Sequence, residues 1–218
     1  MTQPDAPCTP AQRALAAALR NTPTVQQLLR VERPVIAIAG ESGSGKSITA
    51  DCLAHELTST GTPTLVLHQD DYFHRPPATN HAHRLRDLGS VGPQEVDLAR
   101  LRAHVDAFRS GADDIETPVV EYHADRFITR IRHLAPFALL IVEGTYVLEH
   151  VHADARIFLD ATSIDTRERR RERNRDIDAP IVEQVLAIEH GLIAPQVALA
   201  DIIIDRDFAI VRTLVPGS

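Results

Sequence analysis

The 218-residue chain contains no tryptophan, a single methionine and only 4% aromatic residues. A surface built to stack successive bases of a nucleic acid strand needs a denser aromatic supply than this. Basic residues are in deficit too: 23 Lys and Arg against 30 Asp and Glu leave a net charge of −7. That sign opposes nucleic-acid binding through the surface as a whole. No apolar run approaches the roughly 18 to 20 residues of a membrane span. The N-terminus also lacks the basic-then-apolar order of a secretory signal. Cysteine occurs twice, at Cys8 and Cys52, with a spacing that matches no ligand set and no disulfide framework. The pair reads as free thiols in a reducing compartment, and the expectation is a cytoplasmic protein without membrane or nucleic-acid partners.

What is present is a large apolar fraction, 44%, with ordinary charge content at 24%, enough for one large domain or two small ones. One stretch organises the rest. The apolar run Val35–Ala39 breaks into Gly40-Glu41-Ser42-Gly43-Ser44-Gly45-Lys46-Ser47. Gly40, Gly45, Lys46 and Ser47 meet the spacing G-x-x-x-x-G-K-[ST]. Glycines let the backbone turn with positive φ and approach a ligand closely. Converging amides and the start of the following helix suit an anion. Lys46 would reach the β- and γ-phosphates of ATP, and Ser47 would offer its hydroxyl to Mg²⁺. A chance Gly/Ser loop would lack the strand pattern before it and the helix pattern after it.

Along the chain, Thr9-Pro10 and Thr22-Pro23 each read as a helix start, a capping hydroxyl followed by proline at the first helical position. Residues 1–30 thus form an N-terminal helical extension, and 31–218 the main domain. Helices are expected over 46–59, 94–110, about 163–175 and about 180–193. Strands are expected over 64–67, 119–122, 137–142, 155–159, 200–204 and 209–215, the last at an edge. Residues 74–93, with Pro76, Pro77, Gly89, Gly92 and Pro93, read as a long loop, a length that is usually functional. Near-continuous apolar strands alternating with helices indicate an α/β fold, a parallel sheet with helices on both faces.

Ligands of such sheets bind beyond the carboxyl ends of the strands. Three polar signals stand at such ends: the glycine loop, Asp70-Asp71, and Glu143. Glu143 follows an apolar run and suits an acid near Mg²⁺. Asp70 is the candidate base for a substrate hydroxyl, with Asp71 its rival. Further on, residues 167–175 hold six arginines in nine positions. At helical spacing Arg170 and Arg171 fall on a shared face with Arg167 and Arg175, which suits a lid (about 163–178) closing over a transferred phosphoryl group.

Taken together, Gly40–Ser47, Gln69-Asp70 with Tyr72-Phe73, Val142-Glu143-Gly144, the arginines after Asp160 and Ala200-Asp201-Ile202-Ile203-Ile204 resemble the uridine kinase-like branch of the P-loop kinases, related to phosphoribulokinase and pantothenate kinase. The resemblance runs from about Val35 to Asp205. It implies a P-loop NTPase fold, ATP as donor and Mg²⁺ as cofactor. It also implies Asp70 as base, Glu143 and Ser47 at the metal, Lys46 on the phosphates, and Arg170 and Arg171 as phosphate clamps. Two stretches depart from it. The family's ribose-binding acid has no matching residue, Asp87 standing several residues away from Pro93. Valine stands where a base-reading tyrosine is expected, in Pro118-Val119-Val120-Glu121-Tyr122-His123. The expected function is therefore phosphoryl transfer from ATP to a hydroxyl of a small metabolite. A nucleoside leads, with other polyols or a non-kinase P-loop switch as alternatives. Residues 71–93 and 118–127 are expected to shape the acceptor pocket, with Asp71, Tyr72, Asp87, Tyr122, His123 and Arg126 as candidate contacts. Whether the chain is a monomer or a homo-oligomer is open.

Overall fold

A computed structural model describes residues 8–162 and 180–214. The expected Arg-rich lid, with Arg170 and Arg171, lies outside the described residues. Strand β1 (Val35–Gly40) is buried along its whole length. It pairs in parallel with β5 (Leu139–Glu143) on one side and β6 (Ala155–Asp160) on the other. β2 (Thr64–His68) extends the sheet beyond β5, and β7 (Ile202–Asp205) extends it beyond β6. The edge strand β8 (Ile210–Thr213) runs antiparallel to β7. The sheet order is β2-β5-β1-β6-β7-β8. This is the expected α/β P-loop architecture.

Alternation along β1 divides the core. Ile36 and Ile38 face one cluster; Val35, Ala37 and Ala39 face another. The first cluster is covered by α1 (Pro10–Arg20), α2 (Pro23–Leu28) and α3 (Lys46–Ser59), through Leu15, Leu19, Val25, Leu28, Leu53 and Leu57. The second is covered by α5 (Leu98–Arg109), α6 (Val147–His150) and α7 (Pro180–Ile193), through Leu101, Val105, Phe108, Val147 and Ile193. The two early starts are real caps. Thr9 and Thr22 accept hydrogen bonds from Gln12 N and Val25 N, with proline at the first helical position in each case.

Three expectations are corrected. Residues 74–93 are not one loop: Pro77–Arg84 is a helix, α4. Its sequence, Pro77-Ala78-Thr79-Asn80-His81-Ala82-His83-Arg84, is mostly polar and has no capping side chain of its own. The strand expected over 119–122 is also longer, beginning at Asp114. β3 (Asp114–Glu121) and β4 (Arg126–His133) form an antiparallel hairpin apart from the main sheet. Finally, Cys8 and Cys52 are not free thiols but form a disulfide, with Cα atoms 6.0 Å apart. The packing of α1 on α3 brings together two residues 44 positions apart, and no local spacing could announce that. The cytoplasmic expectation loses the support it drew from them. Closing a loop of this length should stabilise the fold by about 4 kcal/mol through chain entropy. Denaturant midpoints measured with and without dithiothreitol, and for Cys52→Ser, check that figure.

Candidate functional site

The loop after β1 is shaped by its glycines. Gly43 and Gly45 take φ of 80° and 100°, a region that β-carbons disfavour. At Gly40, a Cβ would lie 2.7 Å from Ser44 Oγ and 2.9 Å from the Leu159 carbonyl. Gly45 ends the loop and is the first flanking residue of α3, so the helix's unpaired amides open onto the turn. Lys46 Nζ reaches back to the Glu41 carbonyl at 3.5 Å. Glu41 itself is buried and its carboxylate meets His190 of α7 at 2.6 Å. The loop geometry fits a polyphosphate.

Two strand ends bring the acids alongside. In the parallel pair β2–β5, His68 stands opposite Glu143. Their side chains meet, Nδ1 to Oε1, at 2.8 Å. Burial alone would push the Glu143 carboxyl up. The His68 hydrogen bond and charge, with help from Lys46 and Ser47, outweigh burial and hold it below the usual carboxylate range. His68 responds in kind. Burial would lower its pKa, but Glu143, Asp51 and Asp71 push it up to about 9. The other Glu143 oxygen, Oε2, is buried with no hydrogen-bond partner among the described residues. An ionised, half-satisfied carboxylate beside Ser47 at the end of the phosphate loop fits Mg²⁺.

The next residue, Gln69, is fully buried and locks the two strand ends together. Its amide donates to Thr145 Oγ1 at 3.2 Å and accepts from Tyr146 N at 2.9 Å. This requires glycine at position 144, where a Cβ would sit 2.3 Å from the Gln69 Cβ. Gly144→Ala is therefore expected to cost about 1–3 kcal/mol in overpacking. It should also lower turnover more than ATP affinity, because Gln69 precedes Asp70. Unfolding curves and single-turnover assays on one preparation would show both effects.

Asp70 emerges half-buried and accepts no hydrogen bond from any described residue. It lines a cavity of about 510 Å³ together with Ser42, Gly43, Gly45, Lys46 and Ser47. Tyr122 of the hairpin lines the same cavity. The remaining candidates go elsewhere. Asp71 Oδ1 accepts from Val120 N at 2.8 Å, fastening the hairpin to the end of β2. Tyr72 is buried and its hydroxyl meets His104 Nδ1 at 2.8 Å. Asp87 is exposed and caps Gly89 N at 3.0 Å. His123 is exposed, and Arg126 pairs with Glu121 at 2.6 Å. None of these five lines the cavity.

The far wall comes mostly from the stretch 71–93 expected to shape the acceptor pocket, but through residues not singled out there, and Thr145 and Glu189 join it from elsewhere in the sequence. Asn80 and Arg84 of α4, Thr145 and Glu189 of α7 line it, with Phe73, Arg75 and His81. Asp125, at the turn of the hairpin, supplies the missing cap of α4. Its carboxylate accepts from Ala78 N, Thr79 N and Thr79 Oγ1 at 2.7, 3.0 and 2.7 Å. The pairing of an acid in the turn with amides 46 and 47 positions earlier leaves no trace in local pattern.

Comparison with known proteins agrees with this geometry. A family model described as the phosphoribulokinase/uridine kinase family matches residues 35–209. A uridine kinase of Shewanella amazonensis is 28% identical over 79% of this chain and 87% of its own length. A bifunctional alpha-galactosidase/sucrose kinase of Mediterraneibacter gnavus is 30% identical over 80% of this chain, which spans 20% of that longer protein. Among solved structures, a protein assigned as a uridine kinase from Bacillus stearothermophilus superimposes with a TM-score of 0.62, at 18% identity, covering 88% of this chain and 97% of its own. One assigned as a fructose transport system kinase from Silicibacter gives 0.59 at 21% identity, covering 85% and 93%. With the glycine loop and both strand-end acids inside the matched span, the chain belongs to the phosphoribulokinase/uridine kinase family.

Proposed function

We propose that the protein is an ATP-dependent kinase that phosphorylates a hydroxyl group of a small metabolite. The observation that carries this reading is the shared cavity of Lys46 and Asp70, the latter without a hydrogen-bond donor of its own among the described residues. The loop amides and Lys46 hold the β- and γ-phosphates. Ser47 and Glu143 would hold Mg²⁺, which when bound neutralises phosphate charge. Asp70 accepts the proton of the acceptor hydroxyl as its oxygen bonds to the γ-phosphorus and the bond to the β,γ-bridging oxygen breaks, releasing ADP. Arg170 and Arg171 of the expected lid would close over the transferred group. The named relatives support phosphoryl transfer to alcohols but divide over the acceptor. The uridine kinases favour a nucleoside, and the sucrose kinase a sugar.

The test is ADP release by purified protein with ATP, Mg²⁺ and a panel of nucleosides, sugars, sugar alcohols and hydroxy acids. Acceptor-dependent release is expected. Slow hydrolysis that no acceptor stimulates would favour a nucleotide switch instead.

A further inference from the structure

Two separate elements wall the acceptor end of the cavity. Pro77, Ala78, Asn80 and Arg84 come from α4, and Tyr122 comes from the hairpin. Each element is fixed at its far end. Asp71 holds the hairpin to the end of β2 through Val120 N, and Arg100 Nη2 donates to the Glu116 carbonyl at 2.8 Å. α4 is held at its last turn. There Arg84 donates from Nε and Nη2 to Glu95 at 2.8 and 2.7 Å, and its Nη1 meets Glu189 at 3.0 Å. The separation of the two walls then depends on what joins their near ends.

Asp125 makes that join. Its Oδ1 accepts from Ala78 N, and its Oδ2 from Thr79 N and Thr79 Oγ1. α4 begins after Pro76, which has no side chain able to cap it. Two of the amides that a helix start leaves unpaired are therefore satisfied from the hairpin. A carboxylate also suits the positive end of the helix. The Thr79 hydroxyl, with the two amides, holds the Asp125 carboxyl below the usual carboxylate range, so it is charged at neutral pH. On the hairpin side, Asp125 closes the turn that carries Tyr122. Its N–H donates to the Tyr122 carbonyl at 3.4 Å, and its φ of 44° lies in the left-handed region. Asp, Asn and Gly take that conformation more readily than other residues. Position 125 thus needs a backbone that turns and a side chain that accepts. Neither Asp125 nor Thr79 lines the cavity.

We propose that Asp125 is a positioning residue for phosphoryl transfer: it sets the separation of the α4 and hairpin walls, and so the alignment of the acceptor hydroxyl with Asp70. This role rests on the kinase reading above and holds for any acceptor class. Misplacing a bound reactant by about 1 Å can cost on the order of 10²-fold in rate.

Three variants of the full chain test it. Asp125→Gly keeps the turn and removes the carboxylate. Asp125→Asn keeps the turn and one accepting oxygen. Thr79→Val removes the hydroxyl and keeps the amide. Kinetic constants are measured for ATP and for uridine, D-fructose and D-glycerate as acceptors. Asp125→Gly should lower kcat/KM for the acceptor by about 10- to 100-fold, with KM for ATP unchanged. Asp125→Asn should recover part of that loss. Thr79→Val should act in the same direction by itself and add nothing to Asp125→Gly, because both act through one contact. Amide hydrogen exchange needs no acceptor. In Asp125→Gly, residues 77–84 and 120–126 should exchange about 10-fold faster together, with residues 40–47 unchanged. An unchanged acceptor kcat/KM, an equal loss toward ATP, additive effects in the double variant, or unchanged exchange in both segments would overturn the role. A parent protein that phosphorylates none of the three compounds would count against the kinase reading. The exchange result would then still decide whether Asp125 joins the two walls.

Discussion

Asp70→Asn is expected to bind ATP as the parent does while losing about 10²- to 10⁴-fold in turnover. The amide is nearly isosteric but cannot take the hydroxyl proton. Asp71→Asn should do the opposite. Burial pushes the Asp71 carboxyl up, opposed by the Val120 amide hydrogen bond and the His68 charge. Its role is the 2.8 Å contact that holds the hairpin to the end of β2. Asparagine keeps an oxygen able to accept from Val120 N, so stability should fall by no more than about 1 kcal/mol. Turnover should stay near that of the parent. The two variants side by side, with ATP binding measured by calorimetry and turnover by ADP release, identify the base. Loss of turnover in Asp71→Asn alone would transfer the role to that residue.

Glu143→Gln should lower turnover at fixed Mg²⁺ by about 10²- to 10³-fold, the cost of removing one electrostatic stabiliser from a transition state. The Mg²⁺ dependence should shift to higher concentration, a change that a purely structural lesion would not produce. The same variant has a signature without metal or nucleotide. His68 is raised from 6.5 to about 9 in the folded protein, so its contribution to stability is complete below pH 6.5 and is lost as pH rises through about 9. Glu143 is depressed below its ordinary 4.5, so its contribution is present above that value and is lost as pH falls through the folded value. Between those limits the pair supports the fold. Glu143→Gln removes the main carboxylate that raises His68, and the alkaline loss of stability should shrink with it, Asp51 and Asp71 retaining a smaller part. Unfolding in denaturant from pH 6 to 10 would show this. An unchanged alkaline slope would mean that another group carries it.

How far the sequence could be read varies along the chain. β1, β5 and β6 lie in the middle of the sheet, and each is an apolar run broken only by Arg156 and the strand-end acids Glu143 and Asp160. The phosphate loop is local as well, since its glycines, Lys46 and Ser47 act within eight positions. Asp70 and Glu143 were legible because strand ends in a parallel sheet point to one edge. The acceptor side was legible as two stretches, 71–93 and 118–127, but of its named candidates only Tyr122 lines the cavity. α4 is polar along most of its length, and its first turn is capped by Asp125 from a hairpin tip about 46 positions on. Asp87 has the right residue type near the expected place, yet its side chain is spent on its own turn.

By itself, then, the order of residues determined the nucleotide half: a parallel sheet, a phosphate loop after its central strand, and two acids at neighbouring strand ends. Those features follow from periodicity and from contacts a few residues long. Only the tertiary structure decided the rest: the disulfide from Cys8 to Cys52, the His68–Glu143 pair, and the wall where Arg84 is held between Glu95 and Glu189. Each joins side chains from different elements, and their partnership is set by how helices and strands pack. Residue type at one position shows that a group can donate, accept or carry charge. Which group it meets is a property of the fold.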